Sequence, residues 1–294
     1  MVFERFPTHE TSLGALKILR ALPQRQKRLV GPWCFLDRFG PLSFSDAKPM
    51  DIAPHPHIGL QTVSWLLQGE IVHNDSLGSE ALLRAGGVNV MTSGAGIAHA
   101  EETPARNSGL LNGVQLWIAL PDADRNGEAS FQHIAEVPVI EQADGKVSVF
   151  AGSVSGASSP AKHFSPILGA DISLHASMEL PLDLSFEHAA MLLTGDAEID
   201  GQSIDATSLW YLGTNRSSIK FKSRNGCRVL LLGGTPFPEE ILMWWNFVAR
   251  TSEEIAQARS EWQSHERFGE VKAYRGPRLD APPLQRFAPP NPVS

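Results

Sequence analysis

Short apolar runs, each closed off by glycine, proline or polar turn residues, recur along this chain and narrow its fold more than any other feature. Thr62-Val63-Ser64-Trp65-Leu66-Leu67, Gly113-Val114-Gln115-Leu116-Trp117-Ile118, Lys146-Val147-Ser148-Val149-Phe150 and Arg228-Val229-Leu230-Leu231-Leu232 all have strand length. With 25 Gly and 21 Pro in 294 residues, the interruptions come too often for long helices. The expected fold is all-β, with sandwich or barrel domains. One region departs from this. Thr251 and Glu254 fit a capping box, and Ile255, Ala258, Arg259 and Trp262 fall on helical spacing. Glu239 to Val248 is also helix-compatible, so a C-terminal helical appendage is expected. Arg275 to Ser294 holds six prolines and reads as an extended or loosely held tail.

An internal echo divides the body. Leu66-Leu67-Gln68-Gly69-Glu70-Ile71 resembles Leu192-Leu193-Thr194-Gly195-Asp196-Ala197-Glu198-Ile199. Each is followed by a second strand ending in glycine, Met91-Thr92-Ser93-Gly94 and Trp210-Tyr211-Leu212-Gly213. The expected organisation is an N-terminal domain over residues 1–138, a second over 139–265 that includes C-terminal helices, and a Pro-rich tail over 266–294. The linker is expected near Val137 to Gly145.

The formal net charge is −7 with no long basic run, which argues against direct nucleic-acid binding. Cys34 and Cys227 form neither a disulfide framework nor a cysteine zinc site, and free thiols point to a reducing compartment. Met1 to Ser12 lacks the apolar core of a signal peptide, and no run reaches the roughly 18–20 apolar residues of a membrane span. A cytoplasmic protein is expected.

Two pairs of metal-ligating residue types stand out, His55-Pro56-His57 and His99-Ala100-Glu101. On a strand, residues i and i+2 share a face, so two such strands side by side aim three imidazoles and a carboxylate at one point. Such a set suits Fe, Cu, Ni or Zn and leaves open positions on an octahedral ion, unlike a closed, cysteine-rich structural zinc site. Gly59, Gly86, Gly87, Gly94 and Gly96 flank the pairs and permit tight turns. In the second half, the equivalent offsets hold Asp183, Ser218 and Lys220, so only the N-terminal half can carry this set. His73, in the turn-like His73-Asn74-Asp75-Ser76, reads as structural or as a support to the ligands. His133, His163, His175, His188 and His265 read as surface or satisfied core residues. Trp33, Phe35, Phe44, Trp65 and Trp117 are candidates for an apolar pocket wall, although core packing explains them as well. Gln115 either points into the pocket or pairs within its strand.

The segments PHPHIGLQTVSWLLQGEIVHNDSLG, GGVNVMTSGAGIAHAEE and GVQLWIALP resemble the pirin family of the cupin superfamily, and Met243-Trp244-Trp245-Asn246-Phe247 extends the likeness more loosely. The resemblance implies two cupin domains face to face, a bicupin, with iron in the N-terminal one, other divalent transition metals remaining open. Carried over residue by residue, the ligands are His55, His57, His99 and Glu101. Gln61 stands where many pirins have Glu, a change expected to alter hydrogen bonding around the ligands. The implied activity is of quercetin 2,3-dioxygenase type, with O2 and a flavonol as substrates and Glu101 as proton acceptor. Two alternatives remain: an iron-redox-sensitive regulator that binds a protein partner without turnover, and a metal-free structural bicupin.

Overall fold

The strands named above are largely buried, and the structure shows where each face goes. A computed structural model describes residues 3–13, 16–45 and 49–284. Two large antiparallel sheets pack face to face. One runs Ser130–Ile134, Val88–Thr92, Leu60–Asp75, Leu110–Ala119, Trp33–Ser43, Leu16–Leu22, His9–Leu13. The other runs Glu4–Pro7, Ser208–Gly213, Glu187–Gly195, Cys227–Gly234, Ile167–Leu174, Gly145–Val154, Val139–Gln142. Val63, Trp65 and Leu67 point into the core between the sheets, as do Val114, Leu116 and Ile118. Ala189, Met191, Leu193, Leu230 and Leu232 meet them from the second sheet. Residues one position off face inward within their own domain: Ala190, Leu192, Val229 and Leu231 fill the second domain's interior. Ser64, Gln115 and Trp117 face the interior of the first. The alternation of the pleat thus assigns one face of each strand to the domain interface and one to a domain interior. The architecture is mostly β, two cupin domains of curled sheets with one C-terminal helix.

The strand Leu60–Asp75 serves two sheets. Its first part pairs with Leu110–Ala119, and its second part with Glu80–Arg84 and Ile97–Glu102. The change of direction falls at Gly69, which has φ 89° and sits so close to the Leu110 carbonyl that a Cβ would overlap it. Gly195 has φ 80° and an equivalent close approach to Gly226, just before the chain enters the small sheet through Ala197–Ile199. The sequence echo therefore marks the same bend in both domains.

One expectation about the elements is corrected. Glu239 to Val248 is not helical: Leu242–Trp244 and Phe247–Ala249 form a hairpin through Trp245, which has φ 51°. The hairpin is held to the first domain by an Ile58–Phe247 bridge and a Val248 N–H donated to the Ile58 carbonyl at 3.1 Å. The only helix among the described residues is Ser252–Gln263, with the expected Thr251/Glu254 capping box, and it buries Ile255, Ala258 and Trp262. The chain leaves the first sheet after Ile134 and enters the second at Val139. Val139–Gln142 is an edge strand of the second sheet, and Val137 is buried. The tail has no helix or strand over the described residues and is docked as far as Pro282, whose carbonyl accepts from Arg259 at 2.7 Å. Leu279 donates its N–H to the Pro54 carbonyl at 2.9 Å, Trp262 donates its indole N–H to Leu279 at 2.8 Å, and Ala281 is buried. Residues 285–294 of the tail lie outside the described residues.

Candidate metal centre

Asp51–His57 and Ile97–Glu102 pair antiparallel with His55 directly opposite His99. The i, i+2 spacing on each strand then places all four expected ligands on one face. The structure brings His55, His57 and His99 together, with one nitrogen of each within 4.8 Å of the others. Glu101 groups at the same limit with His99 and with His73, a residue outside the expected ligand set. All five side chains are buried.

Hydrogen bonds decide which nitrogen each imidazole presents. His55 Nδ1 lies 2.9 Å from the Ala53 carbonyl, and His57 Nδ1 lies 3.0 Å from the Asn246 carbonyl. A carbonyl only accepts, so each neutral ring carries its proton on Nδ1 and keeps a lone pair on Nε2. His57 Nε2 faces His99 Nε2 at 3.1 Å. Burial lowers the His55 pKa to about 4 against the pull of the Ala53 carbonyl. It holds His57 and His99 well below the usual imidazole value, helped by the neighbouring imidazoles. Burial pushes Glu101 up, opposed by His73 and by a 3.0 Å hydrogen bond from Ser64 Oγ. The same hydroxyl lies 2.8 Å from the Gln115 amide. A hydroxyl has one proton, so an amide turned to offer its NH2 satisfies both contacts. Neutral imidazoles with convergent lone pairs beside a buried carboxylate are the state in which these residue types bind a divalent cation, so the donor set fits a metal.

The cluster opens on a cavity of about 370 Å³, within the roughly 300–1,000 Å³ range of small-molecule sites. Phe35 and Trp117 form one wall, stacked with centroids 4.1 Å apart, and His57 meets Trp117 edge-on at 5.2 Å. Trp33 and Trp65 instead fill the core between the sheets, and Phe44 packs beside the cluster around Leu16 and Phe39. Gln115 lines the cavity as well as contacting Ser64.

Several lining residues were not among the expected site residues. Arg20 donates to both oxygens of Asp37 at 2.8 and 2.7 Å and lies over the Phe35 ring. Trp245, Asn246 and Leu279 come from the C-terminal segment. Gln61 is displaced from its expected role. It bonds to Thr92, the Lys162 carbonyl and His163, away from the cavity lining. His73 lies on a strand and not in a turn, which begins only after Asp75.

Both three-residue groups able to hold a metal, among the described residues, lie in the first domain. His188 in the second domain is fully buried, and neither ring nitrogen has a hydrogen-bond partner among the described residues, so it is not the satisfied core residue expected. Burial, then the Arg216 charge, lowers its pKa to about 4. The unfolded value is about 6.5, so the stability tied to neutral His188 is whole above pH ~6.5 and disappears as pH falls toward 4. That loss is on the order of 3 kcal/mol. Urea midpoints across this range should fall less steeply in His188→Leu than in the parent; equal slopes would refute the assignment.

Two cupin domains packed face to face, one of them holding an imidazole cluster over a cavity, define a bicupin with a single candidate centre among the described residues. Comparison with known proteins narrows the class. Residues 15–118 match the Pirin family model and residues 169–269 the Pirin C-terminal cupin domain. A Pseudomonas aeruginosa protein named "Putative quercetin 2,3-dioxygenase" is 42% identical over 92% of this chain and 87% of its own. A pirin-like protein of Caulobacter vibrioides is 35% identical over 88% and 92%. The crystal structure of a quercetin 2,3-dioxygenase from Acinetobacter baumannii superposes with a TM-score of 0.94 at 41% identity, covering 98% of this chain and 97% of that one. The chain belongs to the pirin family.

Proposed function

We propose that this protein is a metal-dependent dioxygenase of quercetin 2,3-dioxygenase type, cleaving flavonols with O2 at a mononuclear non-haem iron held by His55, His57, His99 and Glu101. The observation that carries this reading is the convergence of three neutral imidazoles on a cavity walled by a flat aromatic pair. The names of the 41–42% identical relatives support it. A metal bound there supplies Lewis acidity toward a substrate hydroxyl and a meeting point for substrate and O2.

The chain's own residues do the rest. Phe35 and Trp117 offer a face for stacking an aromatic substrate. Arg20 and Asp37 set a donor and an acceptor at the cavity surface for a hydroxylated ring. Glu101 is the proton acceptor for the substrate hydroxyl: burial favours its protonated form, and Ser64 holds one of its oxygens. Trp245 and Leu279 help to exclude water. Cys34 and Cys227 are buried free thiols, in keeping with a reducing compartment, and we place the protein in the cytoplasm. No helix among the described residues is long and apolar enough to cross a membrane.

The test is anaerobic loading with stoichiometric Fe(II), followed by admission of O2 with quercetin. O2 uptake in step with loss of the flavonol is expected. Absence of turnover at full iron occupancy would overturn the enzymatic reading. It would favour the regulator that binds a protein partner, for which one observation speaks. His57 is tied to the carbonyl of Asn246, beside the half-buried Trp244 and Trp245, so a change at the centre has a direct route to the surface.

A further inference from the structure

We propose that His73 and Asp75 form a positioning relay that dictates which nitrogen of His99 faces the centre; this rests on the metal-centre reading above. His55 and His57 are oriented by backbone carbonyls. Among the described residues no backbone carbonyl pairs with a ring nitrogen of His99. Its Nδ1 lies 3.4 Å from His73 Nδ1, and His73 Nε2 lies 3.1 Å from Asp75 Oδ2. The register sets this up, because His73 pairs with Glu101 and Asp75 with His99 across adjacent strands.

The protons follow from donor and acceptor capacity. A carboxylate only accepts, so Asp75 places the His73 proton on Nε2. With a single ring proton, placed on Nε2, His73 offers a lone pair on Nδ1 to the Nδ1–H of His99. His99 keeps its lone pair on Nε2, directed toward His57 Nε2 at 3.1 Å. Both members of the relay are held still. His73 stacks on Phe131, with centroids 4.1 Å apart and planes 6° from parallel. Asp75 Oδ1 accepts the N–H groups of Leu77 and Ser79 at 2.9 and 3.0 Å. In this arrangement His73 orients a ligand and is not itself one, although it lies close enough to His99 and Glu101 to be considered.

Asp75→Asn tests the relay. The two turn N–H groups still need an acceptor, so the new amide keeps its oxygen on them and presents its NH2 to His73. Two donors then face each other. Relief moves the His73 proton to Nδ1, and the His99 proton to Nε2, into the donor position. Zn(II), a diamagnetic probe, should bind about 10–100-fold more weakly to Asp75→Asn than to the parent in competition with a chromophoric chelator. Nitrogen-15 imidazole spectra of the Zn(II)-loaded parent should show His73 protonated at Nε2 and His99 at Nδ1, a reading that needs no variant to fold. Three results would count against the relay alone: unchanged affinity in Asp75→Asn, a His73 proton on Nδ1, or a His73 nitrogen bound to zinc. A parent protein that takes up no Zn(II) at these histidines would overturn the metal centre, and the relay with it.

Discussion

His57→Ala is expected to empty the centre. The His57 ring presents one of three convergent lone pairs, and its other nitrogen donates to the Asn246 carbonyl. Groups that only orient a ligand are worth about 10–100-fold in affinity, so loss of a ligand should cost more than ~100-fold. The substitution also leaves the Asn246 carbonyl without its donor and opens a gap beside Trp117. Elemental analysis should find the metal content near zero, and an oxygen electrode should find no quercetin-dependent uptake. Full metal content in the variant would remove His57 from the ligand set. Turnover without metal would sink the proposed chemistry altogether.

Trp65→Ala is expected to lower stability by roughly 3–5 kcal/mol, the cost of truncating a large aromatic in a packed core. Trp65 is fully buried, stacks on Phe150 of the second domain at 5.2 Å, and donates its indole N–H to Asp171 at 2.7 Å. Asp171 also accepts from Arg228 at 2.8 Å, so its charge keeps a partner. Trp65→Phe retains an aromatic ring and loses the hydrogen bond, and should cost about 1–3 kcal/mol, chiefly for the acceptor left short of a donor. Denaturant unfolding of the three proteins separates packing from hydrogen bonding. Equal stability of the alanine variant and the parent would show that the face between the sheets contributes little.

What could be read from the residues alone was whatever depends on side-chain type at short spacing. The apolar strands showed themselves because both of their faces are buried, and Gly69 and Gly195 because the same bend recurs in both domains. The clustering of His55, His57 and His99 was legible because i and i+2 share a face whatever the partner strand. Backbone atoms leave no such trace. Nothing about Asn246 as a residue type announces that its carbonyl orients His57. Arg20 and Asp37 reach the cavity only through the pairing of Leu16–Leu22 with Trp33–Ser43. The region around Trp245 has helical spacing, but its contacts with Ile58 and Gly59 draw it into a hairpin. His73 looked like part of a turn because Asn, Asp and Ser follow it; strand pairing persists through Asp75 and puts it beside His99.

The order in which the polypeptide is made adds a consequence of the docked C-terminal segment. Every proposed ligand has been synthesised by Glu101, yet the carbonyl that orients His57 arrives with Asn246, and Leu279 follows later still. A nascent or prematurely terminated product therefore displays its histidines on an unroofed surface. Only a product extended past Leu279 carries all the residues that line this cavity.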